Sequence, residues 1–182
     1  GDSSNIAQCY EYKGVIEFFK GDYRKAIEYY SHSLELNSIL HFELQEGLNF
    51  ANIAEAKIHL EEYNQAIDYY LQAEKLLIKN HFNSGLIFIY YGLGQSYTLI
   101  GNYEKGINMY QKSLDMVDIT GEEREKQQIY PLMIKNYVLQ NDYKNAFHYN
   151  LLEVAIKDSI DNISKNQQLE NIKTRYEVEK KE

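Results

Sequence analysis

One ten-residue segment occurs four times in this 182-residue chain, and it sets limits on what the chain can fold into. Its first copy spans residues 21–30, and its first tyrosine, Tyr23, recurs as Tyr63, Tyr103 and Tyr143, always at the same interval. A fixed period of about 20 to 50 residues is the signature of a solenoid. We therefore expect one elongated array of four similar units rather than two globular domains.

The composition favours an all-helical chain. There is one proline in 182 residues, whereas glutamate, lysine, leucine and isoleucine are abundant. The net charge of −8 is spread along the chain, which argues against nucleic acid as a partner, because phosphate binding needs clustered lysine and arginine. No apolar run approaches the roughly 20 residues of a membrane-spanning helix. The single cysteine, Cys9, excludes a disulfide within the chain.

Apolar side chains recur at helical spacing in eight segments, which predict four helix pairs. The first helices are expected at residues 5–20, 41–60, 81–100 and 121–140, and the second helices at residues 23–37, 63–79, 103–118 and 143–158. Each second helix has a small residue three positions after the shared tyrosine: Ala26, Ala66, Gly106 and Ala146. A small side chain allows two helices to approach to about 8–10 Å.

The turn within each pair begins at an equivalent position, occupied by Gly21, Glu61, Gly101 and Asn141. Glycine and asparagine tolerate a positive φ, so a left-handed turn suits three of the four. Glu61 predicts a turn that is either strained or of a different type. Asp22 follows the first turn and is expected to cap the next helix.

The fourth unit departs from the pattern. Residues 120–123 are expected to form a capping box that opens its first helix. Pro131 lies inside that helix and predicts a kink or break near residues 128–131. The small residues Gly14, Ala54 and Gly94 share an equivalent position, which Ile134 occupies in this unit.

These residues resemble the tetratricopeptide repeat. The spacing of Gly21, Tyr23, Ala26, Tyr30 and Leu34 is similar to the second helix of that repeat, and Tyr90, Leu93, Gly94 and Tyr97 are similar to the first. The resemblance covers residues 5–158 and implies an all-α fold, an α-α superhelix. Each unit here is longer than the usual repeat of about 34 residues. We expect the array to span residues 1–158, with units at about 1–40, 41–80, 81–120 and 121–158.

The remaining residues, 159–182, predict a long C-terminal helix that caps the array and then leaves it as a linker or coiled coil. Its apolar positions are Ile160, Ile163, Leu169, Ile172 and Tyr176. Residues 155–160 and 176–181 are similar to the end of the repeat region in envelope-anchored bacterial regulators. That resemblance implies a periplasmic array joined through a membrane helix to an output domain.

The tetratricopeptide resemblance also implies a binding site, because such arrays hold a peptide or protein segment in a concave groove lined by their first helices. The family's groove positions correspond here to Glu11, Val15, Phe18, Asn52, Glu55, Ile58, Tyr91, Gln95, Thr98, Lys135 and Val138. Groups of this kind suit an extended peptide with aromatic anchors. A groove that clamps a terminal carboxylate would need lysine and asparagine where this chain has Glu11, Val15, Ala51 and Glu55, which disfavours that ligand.

No pattern indicates catalysis, a metal or a cofactor. His41 and His81 are equivalent residues of different units, too far apart to share a metal. The segment 92–94 lies within a predicted helix and is no phosphate-binding loop, which would follow a strand. No serine or histidine has an evident third orienting group.

The sequence thus predicts a non-enzymatic binding module, the sensor or interaction region of a bacterial regulatory protein that takes part in signal transduction or transcription. The periplasmic side of a membrane-anchored parent is the favoured location, and the cytoplasm is second. The alternative is a cytoplasmic assembly scaffold or a peptide-pheromone receptor domain. A homodimer is also possible, because the ends of solenoids expose apolar edges unless they are capped.

Overall fold

The computed structural model describes the backbone of residues 2–179 and the side chains of residues 3–162. Its elements, in order, are α1 (Asp2–Phe19), α2 (Tyr23–Ile39), α3 (Glu43–His59), α4 (Tyr63–Lys79), α5 (Asn83–Leu99), α6 (Tyr103–Thr120), a 3-10 turn (Glu123–Glu125), α7 (Lys126–Leu139) and α8 (Tyr143–Glu179). The eight predicted helices are all present, and the described residues contain no strand. The expectation of an all-α solenoid is confirmed.

The chain divides into an N-terminal unit, Gly1–Glu122, and a C-terminal unit, Glu123–Glu182. In the N-terminal unit each of α1 to α5 packs against the next helix along the chain, and α3 also contacts α5. In the C-terminal unit α7 packs against α8. The contact between α3 and α5 joins first helices of successive pairs, so these helices share one side of the N-terminal unit.

Tyrosine rings determine how closely the helices of a pair approach. A Cβ atom added to Gly14 would lie 2.5 Å from Cε1 of Tyr30, and one added to Gly94 would lie 2.5 Å from Cε1 of Tyr110. Atoms cannot approach so closely, so each ring occupies the space that a side chain would otherwise need. The small residues of the second helices, including Ala26 and Ala66, are fully buried. The periodic pattern therefore reflects close packing of helices.

The turns between helices recur at half the interval of the repeat. Positive φ angles occur at Gly21, His41, Glu61, His81, Gly101, Gly121 and Asn141. At Gly21 the amide donates to the Phe18 carbonyl at 2.9 Å, and the next amide donates to the Glu17 carbonyl at 3.0 Å. All of these turns except the one at Gly121 share this pair of hydrogen bonds, which is the Schellman motif.

Glu61 therefore has a strained turn and not a turn of a different type. Its φ is 60°, and its amide donates to the Ile58 carbonyl at 2.9 Å, as at the glycine turns. A side chain in the left-handed region costs about 1 kcal/mol.

The cap predicted at Asp22 is confirmed, because its carboxylate accepts a hydrogen bond from the Lys25 amide at 3.1 Å.

The capping box and the helix break expected in the fourth unit are absent, and the kink at Pro131 stays a prediction. Thr120 is the last residue of α6 and its hydroxyl donates to the Val117 carbonyl, so it does not open a capping box. Gly121 ends α6 in the left-handed conformation instead. The helix α7 runs unbroken through Pro131, and the irregular backbone lies upstream, in the 3-10 turn. The proline is only the sixth residue of α7, so the Gln127 carbonyl that loses its amide partner lies in the first turn of the helix.

The second helix of the fourth pair and the predicted C-terminal helix form one element, α8, which passes through residue 158 without interruption. The domain boundary expected at residue 158 stays a prediction. The side chains of Ile163, Leu169, Ile172 and Tyr176, and the whole of residues 180–182, lie outside the described residues, and so does the predicted coiled coil.

The packing of Tyr110 on Gly94 predicts a pattern of non-additive stability. The equivalent residues of the fourth unit are Asn150 and Ile134, a small polar residue opposite a large apolar one. We expect Gly94→Ile alone to destabilise the chain by about 1–3 kcal/mol through overpacking. Combined with Tyr110→Asn it should cost at least about 1 kcal/mol less than the sum of the single changes. Urea unfolding of the four proteins measures this, and simple additivity would contradict the proposed packing.

Candidate functional site

The predicted groove residues of the N-terminal unit lie on α1, α3 and α5, the first helices of their pairs. Tyr91, Gln95 and Thr98 follow one another at helical intervals of four and three residues, so they share a face of α5. All three are partly buried, as are Asn52 and Glu55 on α3. Partly buried polar and aromatic groups along one side are suited to contact with a partner.

Four predicted residues line one cavity of about 180 Å³, which we call the inner pocket. Val15 and Phe18 come from α1, and Asn52 and Glu55 from α3. Two further residues, Phe19 and Tyr30, complete its wall. Ligand sites for small molecules usually exceed about 300 Å³, so the inner pocket has room for one large side chain and not for a cofactor.

Glu11 lies in a second, more polar cavity of about 250 Å³. The cavity is lined by Ser4, Gln8, Glu11, Asn37, Phe42, Gln45 and Leu48. Burial raises the pKa of the Glu11 carboxyl above its usual value. The charge of Glu11 in turn adds to the effect of burial on Tyr30, whose pKa rises to about 12. Glu11 is therefore close enough to Tyr30 for the two groups to influence each other.

Glu55 is held by a tyrosine from a second helix. The Tyr70 hydroxyl donates to Oε2 of Glu55 at 2.6 Å, and Tyr70 is only 3% exposed. Its ring lies against the next pair, because a Cβ atom added to Gly92 would lie 2.2 Å from the Tyr70 Cζ atom. Glycine at position 92 thus makes room for the ring that orients Glu55. Gly94 in the same segment makes room for the Tyr110 ring instead.

Two more tyrosines extend this contact along the groove. The rings of Tyr91 and Tyr110 have centroids 6.3 Å apart at an angle of 60°. Burial is the main cause that raises the pKa of Tyr70 well above its usual value, and the charge of Glu55 adds to it. The same two causes raise the pKa of Tyr91. We refer to Glu55, Tyr70, Tyr91 and Tyr110 as the tyrosine cluster.

The other predicted groove residues lie elsewhere. Ile58 is 6% exposed and belongs to the hydrophobic core of the N-terminal unit, so it supports the groove from below. Lys135 and Val138 lie on α7 of the C-terminal unit, and both are exposed. They stay predictions for binding.

Sequence reasoning missed four residues of the site, Phe19, Tyr30, Tyr70 and Tyr110. Tyr30, Tyr70 and Tyr110 recur on the second helices at the interval of the repeat, a pattern that indicates packing between helices, yet Tyr30 lines the inner pocket and Tyr70 bonds to Glu55. One available signal is the fourth unit, where Asn150 occupies the position equivalent to these tyrosines. A pure packing position would be expected to stay aromatic in every unit. Phe19 lies beside the predicted Phe18 and is 83% exposed, which is unusual for a phenylalanine.

The histidines and the cysteine lie outside the inner pocket and the tyrosine cluster. Within the described residues there is no group of three or more histidine, cysteine, aspartate or glutamate side chains placed to hold a metal ion. His41 and His81 lie in the turns between pairs, and Cys9 is exposed with a free thiol. No described helix is both long enough and apolar enough to cross a membrane.

Comparison with known families identifies the repeat. Family models described as tetratricopeptide repeat match residues 7–39 and residues 44–118, which together make up more than half of the chain. A search of curated proteins finds no match.

Solved structures share the fold at low sequence identity. Aspartyl phosphate phosphatase F from Bacillus subtilis superposes with a TM-score of 0.83 at 13% identity, over 87% of this chain and 42% of that one. BtubC from P. vanneervenii superposes with a TM-score of 0.81 at 16% identity, over 88% of this chain and 66% of that one. A third structure is a Signal Transduction ATPase with Numerous Domains from Pyrococcus horikoshii, which has a tetratricopeptide repeat sensor. It superposes with a TM-score of 0.78 at 20% identity, over 91% of this chain and 26% of that one. The chain thus spans less than two thirds of each.

The buried tyrosines predict a loss of stability at alkaline pH. Tyr30 has a pKa of about 12 in the folded chain against an ordinary value of about 10, so the unfolded chain ionises first as the pH rises. The contribution of Tyr30 to the free energy of unfolding is therefore intact below pH 10 and is lost between about pH 10 and 12.

We expect Tyr30→Phe to make the decline of the unfolding free energy between pH 9 and 11 shallower by about 1 kcal/mol. Urea unfolding at several pH values measures it. The control is Tyr12→Phe, at a site that is 58% exposed, which should retain the decline of the unchanged chain. An equal decline in all three proteins would contradict the buried state of the Tyr30 hydroxyl.

Proposed function

Because this chain belongs to the tetratricopeptide repeat family, we propose that it is a non-enzymatic module that binds a peptide or protein segment along α1, α3 and α5. The observation that carries the proposal is the inner pocket together with the adjoining tyrosine cluster. In both, partly buried side chains such as Phe18, Glu55 and Tyr91 lie beside buried tyrosines of the closely packed core. Tyrosine and other aromatic groups in such positions are typical of recognition surfaces.

The proposal extends to the role of the module. We infer that it is the sensor or interaction region of a larger bacterial regulatory protein. The repeat sensor named in the Pyrococcus horikoshii ATPase supports this inference by analogy only, because an identity of 20% shows a shared fold and not a shared function. A scaffold or a peptide receptor without a membrane link remains the second candidate. A periplasmic array on a membrane-anchored parent stays a prediction without support from the comparisons.

The contacts suggest how binding would alter the array. Tyr70 touches both Glu55 on α3 and the backbone of α5 at Gly92. A ligand that competes for Glu55 would change the position of this ring and therefore the packing between two successive pairs. The units of a solenoid contact only their neighbours. A small change at one interface therefore alters the angle between the units that precede it and the units that follow it.

We expect a peptide ligand to be obtainable by selection from a displayed library of random dodecapeptides against the purified chain. Fluorescence anisotropy would then give the Kd of each selected peptide. Tyr91→Ala should weaken binding about 10-fold or more, because truncating an aromatic contact residue commonly costs over about 1.4 kcal/mol.

The matched control is Leu71→Ala, a change of an exposed apolar residue on α4, and it should leave the Kd within about twofold. Circular dichroism would establish that both variants are folded. Failure to select any peptide would overturn the proposal, and so would selected peptides that bind the Tyr91 variant as tightly as the unchanged chain.

A further inference from the structure

The charge along the groove side of the N-terminal unit is negative. The helix α5 contains no charged residue, and the groove positions on α1 and α3 contribute Glu11 and Glu55. None of the nine predicted groove positions in this unit is a lysine or an arginine. The neighbouring Lys57 is occupied, since its Nζ lies 2.5 Å from Oε2 of Glu62. A partner for this side therefore meets carboxylates that no lysine or arginine at the groove positions neutralises.

The inner pocket combines an apolar wall with one of these carboxylates. Val15, Phe18, Phe19 and Tyr30 supply aliphatic and aromatic surface, and Glu55 supplies the charge. A long basic side chain matches this arrangement, because its methylene stem packs on apolar surface while its cationic head reaches a polar partner. Aromatic rings add to the attraction for a cation.

Glu55 retains the capacity to accept such a head group. Its Oε2 atom accepts a hydrogen bond from the Tyr70 hydroxyl at 2.6 Å. Its Oε1 atom lies 3.7 Å from His59 Nε2, which is within ion-pair distance for a protonated histidine but too long for a hydrogen bond. Tyr70 holds the carboxylate in place, so that a second donor would meet a preoriented acceptor. The Asn52 amide lies in the same pocket and offers another oxygen.

Other occupants suit the inner pocket less well. An acidic side chain would be repelled by Glu55, and a purely apolar one would remove water from the carboxylate without replacing its hydrogen bonds. Arginine presents several donors in one plane, which allows it to bond to Glu55 and Asn52 together, whereas lysine is a point charge.

We propose that the inner pocket binds a basic side chain, arginine in preference to lysine, from a peptide held in the groove. The inference rests on the proposed function, peptide binding along α1, α3 and α5, and deepens it by naming the class of ligand: a peptide segment in which a basic residue is the anchor.

The test uses peptides selected from the dodecapeptide library described above. The sequences should be enriched in arginine, and replacing the anchor arginine by citrulline, which keeps its shape but not its charge, should raise the Kd about 10-fold or more. Replacement by lysine should give a smaller increase.

The decisive measurement compares these peptides on Glu55→Gln, which still accepts the Tyr70 hydroxyl. On that variant the arginine and citrulline peptides should bind within about threefold of each other. The control Asp68→Asn removes an exposed carboxylate from α4 and should preserve the discrimination of the unchanged chain. Urea unfolding would establish that both variants are folded.

The outcomes separate the two claims. Selected peptides without a basic residue, or a citrulline effect that is equal on Glu55→Gln and on the unchanged chain, overturn the assignment of the inner pocket and leave peptide binding in place. A library that gives no binding peptide overturns both.

Discussion

The contact on which the structure depends is that of a tyrosine ring with a residue that has no side chain. Tyr30 packs on Gly14 and Tyr110 on Gly94, each at a separation that no Cβ atom would allow. Burying an aromatic ring stabilises a fold by a few kcal/mol, and here it also sets how near the two helices lie. The first and third units provide both partners at matching positions, whereas the fourth has Ile134 and Asn150 there.

Tyr70 shows that the same kind of ring can serve packing and recognition at once. Its phenyl part rests on Gly92 of the next pair, and its hydroxyl orients Glu55 beside the inner pocket. Burial leaves the hydroxyl few alternative partners, so the carboxylate is fixed by the core rather than by the surface. A ligand that binds there meets a group whose position is determined before it arrives.

Helical periodicity made all eight helices predictable, since apolar spacing, small residues and turn signals agreed. The junction before α7 was not predictable, because Thr120 suits an N-cap by type, yet its hydroxyl bonds to Val117 within α6. The groove positions on the first helices were implied by the resemblance to the tetratricopeptide repeat. The hydroxyl of Tyr70 could not be assigned a partner in this way, since its contact with Glu55 depends on how two helices are placed and not on any local pattern.

The turns of the array have a consequence for how such chains can grow. The backbone joint within a pair, as at Gly21 and Glu61, has the same hydrogen bonds as the joint between pairs, as at His41 and His81. A duplication of one whole repeat that begins at either kind of joint would therefore reproduce a backbone geometry already present. An array lengthened by such a duplication would need no new type of turn. Whether the added helices pack would then depend on their side chains alone.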